Sequence, residues 1–390
     1  MSKLIRQLSL SSQWPMLVAV VVLACIGVVT IWVDEPAAGK KQLLFFAAAV
    51  ACLGAFQLID YRILGARYSA IFYIGSAVLI GYTIVGSIVR VPGVSSRNGA
   101  FNWIDFGPFA LQPSELMKVG FVLVLARYLR FRSNYRTIYG LIPPFALAAI
   151  PMLLILKQPD LGTALIFIPT LFAMLYVAGA KLKHLFGVVG MGLALIPFVW
   201  LCGLDGVPLF EHLPSVVKNY QRDRVYAMFS DDPDVEETGT GMQQYRALIA
   251  LGTGGFMGNG VGEVRAGKRV PERKNDMIFA LIGEQFGFIG SVVVIGCYLV
   301  IFVTAIETAG STREPFGRLV AIGIVAMLAG QTFINLLVVT KLMPVTGVTL
   351  PFVSSGGSSL IASFMSIGLL LNIGQKRPIV MGKAVFEYSD

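Results

Sequence analysis

The chain has 390 residues, 56% of them hydrophobic and only 14% charged, with a formal net charge of +9. A soluble domain carries about 25% charged residues, so this balance excludes an ordinary soluble protein. Apolar runs near 20 residues, the length that crosses a hydrocarbon core as helix, recur along the sequence and predict an all-α polytopic membrane protein.

Lys3 and Arg6 precede a long apolar segment with no small-x-small site at its end, which predicts an uncleaved first helix. Ten spans are predicted, at 14–33, 43–59, 69–89, 113–131, 138–156, 160–179, 184–204, 277–306, 317–340 and 350–373, all in one membrane domain covering 1–390. Pro151, Pro169 and Pro197 fall inside spans, where neighbouring helices satisfy the freed backbone groups. No internal repeat stands out, which weakens an inverted-repeat transporter. Cys25, Cys52, Cys202 and Cys297 lie in apolar segments and are expected to be buried packing residues. With only His184 and His212, the chain offers no His/Cys metal cluster and no convincing histidine base. No cofactor is implied, and the need for a divalent cation stays open.

Lys/Arg bias in short loops sets orientation. With the N-terminus inside, Arg62, Arg67, Arg130, Arg132, Arg136, Lys181, Lys183, Arg313, Arg318, Lys376, Arg377 and Lys383 join Lys3 and Arg6 on the cytoplasmic side. Lys40, Lys41, Arg90, Arg97, Lys157 and Lys341 face the other way. Both termini are therefore expected in the cytoplasm, and the +9 charge calls for no nucleic-acid partner. Residues 205–276, between the seventh and eighth spans, form a long outer loop. The loop carries acids (Asp231, Asp232, Asp234, Glu236, Glu237) and then bases (Arg265, Lys268, Arg269, Arg273, Lys274). Loops of this length are usually functional or disordered. Its stretch GMQQYRALIALGTGGFMG is amphipathic and could lie on the membrane surface.

Four constellations carry candidate chemistry. In FNWIDFGPFALQPSELMK, Pro113 and Glu115 mark a helix start, and Glu115 and Lys118 share a face at i, i+3. Two charges in a membrane must pair, and such a pair is either structural or part of a site. In LKQPDLGTALIF, Asp160 can cap the next helix and also places an acid at the outer surface. In KRVPERKNDMIFALIGEQ, Asp276 closes the basic run at the mouth of an apolar segment; it is a helix N-cap, a general base, or both. In MPVTGVTLPFVSSGGSSLI, Ser354 and Ser355 open a small-residue run that permits either close helix packing or non-helical backbone at a polar cavity. The run LGTGGFMGNGVGE lacks the ending of a P-loop but could form a backbone nest for phosphate.

Together with YQRDRV, these motifs resemble, in order and over nearly the whole chain, the SEDS family (shape, elongation, division and sporulation proteins), which includes RodA and FtsW. The resemblance implies a polymerase of peptidoglycan glycan strands that uses lipid II, lengthens a growing glycan strand and pairs with a class B penicillin-binding protein in the bacterial inner membrane. It puts Asp276 on the family's essential acid, Glu115 and Lys118 on its charged pair, and Asp160 in its QPDLGT motif. The chain departs from the family pattern at Lys274-Asn275, where His-Thr is common, at Ser355, where Tyr is common, and at Glu284-Gln285, where Glu-Glu is frequent. The opening QWPML and IDYRILGARYSAIFYIGSAVLI favour a RodA-like member; AGAKLKHLFGVVGMG and GVTLPFVSSGGSSLI favour an FtsW-like one. On this reading Asp276 is catalytic, and Arg269, Arg273, Lys274, Asp160, Ser354 and Ser355 are candidates for substrate binding. A lipid flippase and a non-catalytic scaffold for a transpeptidase are the rival readings.

Overall fold

In the computed structural model, residues 13–375 are described, apart from 90, 98, 108, 204–211, 213, 216 and 230–240. The loop acids Asp231, Asp232, Asp234, Glu236 and Glu237, and the orientation residues Lys3, Arg6, Arg90, Lys376, Arg377 and Lys383, lie outside the described residues.

Among the described residues, nine helices are long and apolar enough to cross a membrane. They are α1 (Trp14–Asp34), α2 (Pro36–Leu58), α3 (Ser69–Ile88), α5 (Ile142–Lys157), α6 (Leu161–Ala178), α7 (Leu182–Leu201), α10 (Ile278–Ser311), α11 (Pro315–Val339) and α12 (Gly357–Gln375). The tenth, α4 (Pro113–Phe131), spans a comparable length while carrying Glu115 and Lys118. The chain is a multi-pass helical membrane protein. Two further helices, α8 (Asn219–Phe229) and α9 (Met242–Thr253), lie in the long loop.

Three features depart from the sequence expectation. A three-stranded antiparallel sheet, β1 (Val94–Arg97), β2 (Ala100–Phe106) and β3 (Phe109–Leu111), precedes α4, so the fold is helical with one small sheet. The second span starts at Pro36, so Lys40 and Lys41 belong to a helix and not to a loop. The last span starts at Gly357, and residues 341–356 run as turns and extended backbone, with Phe352 at φ 66°. Leu350, Phe352 and Val353 are nonetheless buried. Non-helical backbone is tolerated at membrane depth where protein surrounds it, and here α2 supplies that cover. Gln42 donates to the Ser354 carbonyl at 3.1 Å, and its side-chain oxygen accepts from Gly356 N–H at 3.4 Å.

Packing is uneven. Helix α12 lies along α2, α11 packs on α4, α6 and α10, and α9 packs on α10 instead of standing free on the membrane surface. Helix α7 is peripheral, with Leu185 its single buried residue. The cysteines follow this pattern rather than the expected burial: Cys202 is buried, Cys52 and Cys297 are partly so, and Cys25 is exposed.

Helix α10 is broken by design of its sequence. Gly287 sits at φ 65° and ψ −159°, outside helical space. The Gly-rich run fits into this break: Phe288 N–H donates to the Gly255 carbonyl at 2.9 Å, and Gly260 N–H to the Gln285 carbonyl at 3.1 Å. A Cβ at Gly287 would collide with the backbone of Met257 and Gly258. The run therefore docks the loop onto α10, with the N–H groups of Gly258, Asn259, Gly260 and Gly262 donating to protein acceptors.

Candidate active site

Asp276 lies two residues before the first residue of α10, on irregular backbone, and is 5% exposed. It does not cap the helix: Met277 holds the N-cap position, without a side-chain cap bond. Its carboxylate instead faces α9, where Gln243 Nε2 donates to Oδ1 at 3.3 Å and to Oδ2 at 3.4 Å. These bonds are long, and the carboxylate gains little from them. Burial pushes its pKa up to about 7; Glu272 adds to the rise, while its own backbone N–H, Arg224 and Gln243 oppose it. A carboxylate with that pKa is matched to proton abstraction near neutral pH.

The backbone around Asp276 is held more firmly than its side chain. Asn335 of α11 donates through Nδ2 to the Asp276 carbonyl at 2.6 Å and to the Val348 carbonyl at 2.7 Å. Ser354 Oγ donates to the Asn275 carbonyl at 2.6 Å, and Ser355 N–H donates to the Lys274 carbonyl at 2.8 Å. Ser354 and Ser355 thus act on the loop that carries the acid.

Glu115 and Lys118 meet at 3.0 Å, and both are buried. Lys118 Nζ also donates to Gln331 Oε1 at 2.7 Å. Asp160 caps α6, its Oδ1 accepting from Thr163 N–H at 3.0 Å. Gln112, one residue before α4, donates to Asp160 Oδ2 at 3.4 Å. Burial raises the Asp160 pKa, and the Glu115 carboxylate adds to that rise. Asp160 and the charged pair therefore share one neighbourhood.

The basic residues divide. Arg273 Nε donates to Asp34 at 2.9 Å, and Lys274 pairs with Asp34 and Glu35 at the α1–α2 junction. Arg265 reaches Glu263 at 3.7 Å on an exposed surface. Lys268 and Arg269 are exposed. Beside the first turns of α10 lies a cavity of about 420 Å³, lined by Ile26, Met257, Ile282, Phe286, Ile289, Gly290 and Val293.

Residues 4–378 match the family model FTSW_RODA_SPOVE, described as cell cycle protein. The chain belongs to this family. Stage V sporulation protein E of Bacillus subtilis is 35% identical over 341 residues, covering 86% of each chain. A probable peptidoglycan glycosyltransferase FtsW of Trichlorobacter lovleyi is 34% identical over 355 residues, covering 88% of this chain and 86% of its own. Two solved structures share the fold. One, described as structural coordination of polymerization and crosslinking by a peptidoglycan synthase complex, superposes at TM-score 0.76 with 28% identity over 93% of this chain and 98% of its own. The other, the rod shape determining protein RodA of Thermus thermophilus, superposes at TM-score 0.66 with 25% identity over 93% and 97%.

The FtsW/RodA/SpoVE family contains peptidoglycan glycosyltransferases, and this chain is one of them. Four further polar residues that hold these segments in this SEDS protein are not among the sequence candidates: Gln243, Gln331, Asn335 and Glu284. Glu284 is fully buried and accepts from the backbone N–H groups of Arg265, Ala266 and Gly267 at 2.7, 2.8 and 2.7 Å. In sequence it stands out only as a departure from a family pair. Gln331 and Asn335 carry a signal of their own, two carboxamides four residues apart in a mostly apolar span, which puts them on one helix face.

Proposed function

We propose that the chain polymerises glycan strands from lipid II at the outer face of the bacterial plasma membrane, with both termini in the cytoplasm and Asp276 as general base. The observation that carries this reading is the Asp276 carboxylate: 5% exposed, weakly bonded to Gln243, and pushed up to about 7. Such a group takes a proton readily at neutral pH.

In the proposed reaction the acceptor sugar's 4-hydroxyl attacks the anomeric carbon of the donor. Asp276 receives the hydroxyl proton as the new C–O bond forms. The bond from the anomeric carbon to the pyrophosphate breaks, and undecaprenyl pyrophosphate leaves with the electron pair. Configuration inverts from α to β. Lys268 and Arg269 are exposed cations on the same loop as the acid, and cations aimed at a leaving pyrophosphate stabilise the charge that develops there. Arg273 and Lys274 can join them by exchanging Asp34 and Glu35 for phosphate oxygens, both being charge-assisted contacts. The apolar cavity beside α10 suits one stretch of a polyprenyl chain.

The structural neighbour described as a complex of polymerization and crosslinking supports a class B penicillin-binding protein as partner. An elongation role is supported by the RodA-like opening motifs and by the likeness to RodA of Thermus thermophilus. The FtsW- and SpoVE-named relatives support a septal role instead. Depletion in the native cell separates the two: rounded cells indicate elongation, filaments indicate division.

The activity itself is tested with purified protein and lipid II, with no transpeptidase or second glycosyltransferase present. Glycan ladders are the expected product. Lipid movement between leaflets without ladders would replace the polymerase reading with a flippase, and neither activity would leave a scaffold.

A further inference from the structure

We propose that Asn335 is a positioning residue for Asp276, and that Gln331 ties the Glu115–Lys118 pair into the same arrangement. The proposal rests on the reading of Asp276 as the base. Gln331 and Asn335 lie four residues apart on α11, hence on one face, and are 2% and 1% exposed.

Each carboxamide spans two parts of the site. Gln331 accepts from Lys118 Nζ at 2.7 Å and donates to the Thr349 carbonyl at 2.9 Å. Asn335 donates to the carbonyls of Val348 and Asp276 at 2.7 and 2.6 Å. Val348 and Thr349 are adjacent, so one strip of irregular backbone receives both side chains. The resulting chain runs from Glu115 through Lys118, Gln331, Thr349, Val348 and Asn335 to the Asp276 carbonyl.

A plainer role would be to satisfy carbonyls of a non-helical segment, which needs donors in a membrane. Two observations go beyond that. One of the carbonyls is that of Asp276 itself, whose carboxylate, among the described residues, has only the long Gln243 bonds from another side chain to orient it. Asn335 Oδ1 is also buried without a partner. An unsatisfied buried acceptor is costly, and a donor serving packing alone gives no reason to retain it. The bonds fix where the acid sits relative to α11, and through Gln331 the charged pair fixes the strip on which Asn335 pulls.

The test uses full-length purified protein, lipid II, and initial rates measured against lipid II concentration and pH. Asn335→Leu removes both donors; Asn335→Gln keeps an amide. A shift of about an ångström in a reacting group can cost up to about 10²-fold. Asn335→Leu is therefore expected to lower kcat about 10–100-fold per folded molecule, with KM for lipid II changed less than kcat. The ascending limb of its pH profile should move, because Asp276 takes up a new position relative to Glu272 on its own loop and Arg224 on α8. Asn335→Gln should recover part of kcat. In a double-mutant cycle with Lys118→Met, the combined loss in kcat should differ from the product of the single losses.

Wild-type kcat and pH limb in Asn335→Leu would overturn the proposal. So would a loss explained wholly by fewer folded molecules. If Asn335→Leu does not fold, Asn335→Ser, with one donor, is judged by the same two readouts. Asp276→Asn serves as the separate control. If it makes glycan normally, the base reading itself falls; if it is inactive while the Asn335 variants keep wild-type kcat and pH limb, only the positioning falls.

Discussion

Glu284 and Asp276 are carboxylates near the start of α10, and both are withdrawn from solvent, at 0% and 5% exposure. Glu284 accepts three backbone N–H bonds of 2.7–2.8 Å and so closes the loop at residues 265–267. Among the described residues, Asp276 has a single side-chain neighbour within hydrogen-bond range, Gln243, at 3.3 and 3.4 Å. A carboxylate saturated with short charge-assisted bonds is committed to structure. One that is buried with poor partners keeps its proton affinity high and has capacity left for a reacting proton. Hydrogen-bond saturation, more than burial, separates the structural acid from the one proposed to do chemistry.

The comparison breaks most visibly at Asp276. Asp276→Asn keeps the size of the side chain and can still accept from Gln243. Glycan synthesis should fall about 10²–10⁴-fold, the usual contribution of general base catalysis, while membrane insertion and thermal midpoint hold. Near-normal synthesis would remove Asp276 from the chemistry. Lys118→Ala tests the deeper pair. It leaves Glu115 buried without its cation, which costs about 3–5 kcal/mol. The variant should show a lower thermal midpoint in detergent and less accumulated protein, and a fully stable variant would reject the pair as structural.

Glu284→Gln sharpens the contrast from the other side. An amide cannot accept on both sides, so at least one buried N–H of the loop loses its partner, at about 1–3 kcal/mol. Thermal stability and rate should drop together, with the pH limb of the surviving activity unmoved. A moved limb would mean that Glu284 takes part in the proton chemistry.

The cations give a smaller effect. Arg273→Gln and Lys274→Gln should each raise the lipid II concentration for half-maximal rate more than Arg265→Gln does, since Arg265 pairs with Glu263 on an exposed surface. Equal effects across Arg265, Lys268, Arg269, Arg273 and Lys274 would argue against a pyrophosphate clamp and leave Asp276 untouched.

Much of this was legible in the sequence, and the misses have physical reasons. The bounds of α4 follow from Gln112-Pro113-Ser114-Glu115, where proline and an early acid both suit a helix start. Hydropathy starts the last helix at 350 because Leu350, Phe352 and Val353 are as apolar as a membrane helix. Hydropathy cannot distinguish lipid from a protein interior. The sheet at 94–111 went unseen because its strands are short and punctuated by Gly93, Gly99 and Gly107. Asp276, Glu115, Lys118 and Asp160 stood out because charge in an apolar context is conspicuous. Gln243, Gln331 and Asn335 are neutral, and their importance comes from partners distant in the chain, such as Lys118 to Gln331.

The finest test of the contrast is Glu272→Gln. Burial is the main cause that lifts the Asp276 carboxyl from 3.8 to about 7, and the Glu272 charge is the next. Removing that charge should lower the value, so the ascending limb of kcat against pH should move to lower pH. Below pH 7 the variant then holds more of its base ionised than the wild type and turns over faster, and well above pH 7 the two converge. Stability moves the opposite way. A carboxyl whose folded pKa is raised binds more protons folded than unfolded, so its contribution is present below about 4 and is lost as pH rises through about 7. Activity should therefore climb across the window in which stability declines. Glu272→Gln should shift both curves in the acid direction together, since both report the same proton. A limb that stays in place while the stability curve shifts would mean that the group titrating in the fold is not the group that takes the proton from the acceptor sugar.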